Sequence, residues 1–60
     1  MTGKQLLSIR RKLGLTQKEL ANELGIHWNS LARWERGEVR ITEPVARLIR
    51  LTTAKRGEHS

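Results

Sequence analysis

Apolar residues recur along this chain in short stripes of helical spacing, each closed by a glycine or a turn. Leu6, Ile9 and Leu13 fall on one helix face that stops at Gly14. Leu20, Ala21 and Leu24 make a second stripe that stops at Gly25, with Gln17, Lys18, Asn22 and Glu23 turned toward water. A third helix is predicted from Trp28 to about Arg36, with Leu31, Trp34 and Glu35 on a packed side and Asn29, Ala32, Arg33 and Arg36 along the opposite one. The fourth follows Thr42-Glu43-Pro44 and has Val45, Leu48, Ile49 and Thr52 as its core stripe, leaving Leu51 on another flank beside Arg47 and Arg50. No segment alternates as a strand would. The pattern predicts an all-α fold of four short helices.

The helix ends are marked as well as the faces. Thr2 with Gln5, and Thr16 with Glu19, have the spacing of capping boxes, and Leu15 and Leu20 flank the second box as a hydrophobic staple. Gly25 supplies a left-handed residue that stops the second helix. Ile26 can then staple to Leu31 across a cap at His27, a residue that caps less well than Ser, Thr, Asp or Asn. Residues 37–41 read as a loop, and Thr42, Glu43 and Pro44 open the last helix with a cap, a dipole-matched acid and an early proline. After Thr53 the apolar period is lost. The expected division is therefore a domain over residues 1–53 and a basic, frayed tail over residues 54–60.

Two short amphipathic helices joined by a glycine turn, spanning Leu13 to Gly37, have the spacing of a helix-turn-helix, whose second helix lies in the DNA major groove. Charge agrees with that expectation. Twelve Lys and Arg against six acids give a net charge of +6, which favours a polyanionic partner. Base-stacking RNA modules present aromatics on a sheet, whereas this chain has two Trp, no Phe or Tyr and no strand pattern. No apolar run approaches the roughly 20 residues that a membrane span needs. No apolar signal core is present, so the cytoplasm is the expected location.

A chain of 60 residues makes one small domain, and such a domain buries only about 60% of its unfolded surface. With no cysteine, neither a disulfide nor a thiolate zinc site can add stability, and His27 and His59 are too isolated for a histidine site. Dimerisation is the remaining source of burial. Catalysis has no foothold, since no nucleophile has an evident base and no glycine-rich phosphate loop occurs. Neither a cofactor nor a small-molecule effector is expected.

The stretch Gly-Leu-Thr-Gln-Lys-Glu-Leu-Ala and the ending Arg-Trp-Glu-Arg-Gly resemble the Cro/phage-repressor (XRE) family of regulators, over about Leu6 to Leu51. The resemblance implies a lambda-repressor-like domain in which helices 2 and 3 form the helix-turn-helix. It implies that Gln17 bonds a DNA phosphate, that Trp28, Asn29 and Arg33 face base edges, and that Arg10 and Glu35 form an ion pair between helices. Two departures stand out: Trp28 occupies the place of a small or polar reader, and His27 the place of a hydroxyl cap.

Side-chain chemistry adds detail. Gln17 and the amides at the start of its helix suit a phosphate oxygen, and Lys18, Ser30, Arg36 and Arg40 lie near enough in sequence to extend that clamp. Arginine pairs with guanine O6 and N7, and asparagine with adenine N6 and N7, so Arg33 and Asn29 are the expected readers. Trp28 either presses on a thymine methyl or a sugar, or folds back over Leu31 or the turn. Trp34 is expected to be structural, and Leu51 is a candidate dimer contact. The expected function is a repressor that binds a palindromic operator on double-stranded DNA as a homodimer, formed in solution or only on DNA. Alternatives are an antitoxin or anti-CRISPR-associated autorepressor, and a protein-interaction module that has lost DNA recognition.

Overall fold

A computed structural model describes residues 1–57, which form α1 (Gly3–Lys12), α2 (Gln17–Leu24), α3 (Trp28–Glu35) and α4 (Glu43–Gly57). Both predicted capping boxes close: Thr2 Oγ1 accepts from Gln5 N–H at 3.1 Å while Gln5 Oε1 accepts from Thr2 N–H at 2.8 Å. The same pair of bonds joins Thr16 and Glu19, again at 3.1 and 2.8 Å. Each box satisfies two amides that a helix start would otherwise leave without partners.

The turn between α2 and α3 consists of Gly25, Ile26 and His27. Gly25 has φ of 72°, a left-handed conformation that strains any residue with a Cβ. There the Ile26 N–H reaches back to Ala21 O at 3.0 Å and the Gly25 N–H to Asn22 O at 3.2 Å. This closure consumes carbonyls from the last turn of α2 and redirects the chain within three residues. The same two bonds end α1 at Gly14 and α3 at Gly37.

Leu6, Leu15, Leu20, Ala21, Leu24, Leu31, Ile41, Ala46 and Ile49 form one core, with Met1, Leu13, Ile26, Trp34 and Val45 packed on its margin. α3 lies between α1 and α2, and α4 closes the far side against α2. Contact between α1 and α3 is close at Gly3, where a Cβ would sit 2.3 Å from Trp34 O and 2.8 Å from Glu35 O. Only a residue without a side chain fits. This contact sets the positive end of the α1 dipole on the negative end of α3, a favourable arrangement.

Two expectations need correction. Leu48 is 42% exposed, while Ala46 and Ile49 are fully buried, so the inner face of α4 runs through 46, 49 and 53. Small Ala46 lets α4 approach closely, and that rotates Leu48 outward to join Pro44 and Leu51. Ile41 lies in the loop that the sequence predicts and anchors it, buried to 6% exposure. The helix also outlasts the predicted boundary at Thr53: α4 continues to Gly57. Thr53 Oγ1 donates to Ile49 O at 2.8 Å, and Arg56 pairs with Glu23 of α2 at 2.6 Å, so polar bonds replace the missing apolar stripe. Of the expected tail, residues 58–60, including His59, lie outside the described residues.

Candidate nucleic-acid interface

The packed side of α3 is fastened by a polar cluster that joins three helices. Arg10 of α1 donates from Nε to Glu35 Oε2 at 2.7 Å and from Nη2 to Oε1 at 3.2 Å, a two-pronged grip on one carboxylate. Its Nη1 donates to Leu15 O at 3.0 Å, and Gln17 Nε2 of α2 donates to Glu35 Oε1 at 2.9 Å. The Arg10 and Glu35 side chains are only 16% and 5% exposed. A shielded charge is costly without partners, and here each Arg10 nitrogen and each Glu35 carboxylate oxygen has one: among the described residues no buried side-chain polar atom lacks a partner. Leu31, fully buried, and half-buried Trp34 complete this side.

The other side of α3 is open. His27, Trp28, Asn29, Ser30, Arg33 and Arg36 are all exposed, and Asn29, Arg33 and Arg36 follow one another at i, i+4 and i+7. Ala32 does not belong with them. It is 2% exposed and packs inward, because its position on the helix falls at the edge of the buried arc beside Leu31. The outward row therefore lacks the small residue expected between its polar members and consists of long or polar side chains alone.

Gln17 and Lys18 open α2 alongside this row, and Arg40 stands exposed in the loop after α3. Gln17 is both bound and available: Nε2 carries two hydrogens, of which Glu35 takes one. Arg36 pairs on the surface with Glu38, whereas no side chain engages Arg33 or Arg40 among the described residues. Trp28 neither folds into the core nor stands alone. The residue is 41% exposed, and its ring stacks on His27 at 5.7 Å between centroids and lies 6.0 Å from the Lys18 ammonium. His27 caps α3 through a ring nitrogen, its Nδ1 accepting from Asn29 N–H at 3.1 Å. That cap was legible only as a weak one, since histidine is not a preferred capping residue. Leu51 stands apart from this surface on the outward face of α4, at 61% exposure.

Electrostatically the surface is basic with one tuned acid. The backbone N–H of Thr16, and then its hydroxyl hydrogen bond, hold the Glu19 carboxyl below its usual value of 4.5. Among the described residues no cluster of three or more His, Asp or Glu could hold a metal ion, and no helix is long and apolar enough to cross a membrane.

An exposed polar helix, anchored from behind and preceded by a glycine turn and a capped partner helix, matches the family model described as helix-turn-helix over residues 6–51. The chain belongs to the helix-turn-helix family. Within it α2, the turn and α3 are the helix-turn-helix unit, and the match spans the segment that carries the Cro/phage-repressor resemblance. The chain is also 46% identical over 44 residues to a protein of Pyrococcus abyssi named as an HTH-type transcriptional regulatory protein. That alignment covers 73% of this chain and 14% of the relative. No solved structure matches the chain.

Proposed function

We propose that this helix-turn-helix is a sequence-specific transcriptional repressor that binds a palindromic operator as a dimer, with α3 in the major groove. The observation that carries the reading is the two-sidedness of α3: Glu35 is held by Arg10 and Gln17, while Asn29 and Arg33 reach outward with no protein partner for the Arg33 side chain among the described residues. Side chains committed neither to the core nor to one another are free to meet base edges. Arg33 reads guanine and Asn29 adenine, and Trp28 supplies an apolar face for a thymine methyl. Gln17, Lys18, Ser30, Arg36 and Arg40 contact phosphates, Arg36 by exchanging Glu38 for the DNA backbone.

One recognition helix reads only a few base pairs, so selectivity calls for two copies on half-sites about 34–36 Å apart. The outward face of α4 supports this, since Leu48 at 42% and Leu51 at 61% exposure lie side by side where a second copy can cover both. A dimer seated on its operator represses by excluding polymerase. The relative's description as a transcriptional regulatory protein supports a role in regulation, and the reading includes work in the cytoplasm.

Random-sequence selection followed by footprinting tests the whole reading, giving site, symmetry and copy number together. Arg33→Ala is expected to cost about 1–3 kcal/mol on the selected site and to relax one base position. Equal weakening on every sequence would move Arg33 to the backbone. If the amide signals of Asn29 and Arg33 stay still while the selected duplex is titrated in, α3 does not bind DNA.

A further inference from the structure

His27 does more than end a turn, because the way it caps α3 leaves a donor with a fixed direction. Its Nδ1 accepts from Asn29 N–H at 3.1 Å, so in the neutral ring the proton resides on Nε2. The two nitrogens lie on nearly opposite edges of an imidazole. With Nδ1 turned into the first turn of α3, the Nε2–H therefore points away from the helix, past its N-terminal end. A second contact holds the ring, which stacks on Trp28 at 5.7 Å and 30° between planes. Lys18 lies against the same indole, at 6.0 Å from its centroid, and all three side chains are exposed.

A serine or threonine at this place would satisfy the same amide with a side chain that ends there. Histidine satisfies it with one edge and keeps a donor on the other. In a helix-turn-helix the N-terminal residues of the second helix meet base edges. Resting on the reading of α3 as a recognition helix, we infer that His27 is a further specificity-determining residue, whose Nε2–H donates to an acceptor on a major-groove base edge. Purine N7, guanine O6 and thymine O4 are such acceptors, whereas cytosine presents the N4 amino group, itself a donor. His27 accordingly rejects cytosine at one position of the half-site. The cap and the stack already fix the imidazole in the free protein, so little side-chain freedom is lost when the contact forms.

The deciding variant is His27→Ser in the full chain, because serine is a preferred cap and separates the two roles of the histidine. Its melting temperature should hold. Its affinity for the selected operator should fall about fivefold, the scale of one neutral hydrogen bond, and cytosine should become tolerated at one base pair. Long-range proton–nitrogen NMR of the wild-type imidazole should show the proton on Nε2 in the free protein and a shifted Nε2 signal on the duplex. Unchanged affinity and base preference in His27→Ser would reduce His27 to a cap and overturn the inference. So would equal weakening on all sequences, which is the mark of a phosphate contact. A wild-type chain that selects no sequence overturns the recognition-helix reading as well, whereas selectivity that survives intact in His27→Ser removes His27 alone.

Discussion

The two sides of α3 share eight residues and almost nothing else. On the inner side Leu31 is fully buried, Glu35 is gripped by Arg10 and Gln17, and the last carbonyls lie so close to Gly3 that no side chain fits between. On the outer side Asn29 and Arg33 are exposed, and the Arg33 side chain makes no hydrogen bond or ion pair among the described residues. A small domain can thus hold one face of a short helix rigidly while leaving the other unencumbered. Stability is concentrated behind the helix, and the outward residues contribute little to it.

That contrast can be broken most severely from behind. Glu35→Ala strands the Arg10 guanidinium, only 16% exposed, and is expected to cost about 3 kcal/mol, near the lower end of what a buried pair loses when one partner is removed. Chemical denaturation measures it, and a loss below about 1 kcal/mol would place the pair among ordinary surface bridges. Gly3→Ala follows, at about 1–3 kcal/mol, since the new methyl must push the α1 terminus away from α3. An unchanged melting point there would mean that the helices part without cost.

From the front the order of effects reverses. Trp28→Ala should lower stability by about 1 kcal/mol or less, given 41% exposure, and weaken operator binding by more than that. A large fall in melting temperature with unchanged affinity would instead make Trp28 a structural residue. The smallest effect belongs to Glu19. Because its folded-state pKa lies below the usual 4.5, its cap contributes above that pH and is lost as acid takes the solution down through the folded value. Glu19→Gln keeps the box without the titration, so its melting temperature should fall less than that of the wild type on acidification; parallel curves would show that the cap carries no proton linkage.

Much of this arrangement is legible in the sequence where local chemistry decides it. Thr16, Glu19, Leu15, Leu20 and Gly25 have their roles within a few residues of themselves, and each forms the bond or contact its spacing implies. Where two faces compete, the pattern misleads. α4 offers an inner face through Ala46, Ile49 and Thr53 and an outer one through Pro44, Leu48 and Leu51, and hydrophobicity alone favours the leucine over the alanine. Tertiary approach decided for alanine. Ala32 fails as a groove residue for the same reason, and Ile41 is hidden in a loop whose burial depends on helices on either side. The role of Gln17 beside Glu35 needs a contact across eighteen positions, which no local spacing announces.

Shielding around the Arg10–Glu35 pair has a practical consequence in brine. Counterions reach a charge pair with 16% and 5% exposed side chains poorly, whereas each phosphate gripped by the outer residues should steepen the logarithmic salt dependence of DNA binding by about 0.9. If α3 binds DNA as proposed, rising ionic strength should thus detach the duplex long before it loosens the fold, making release a gentle, reversible wash.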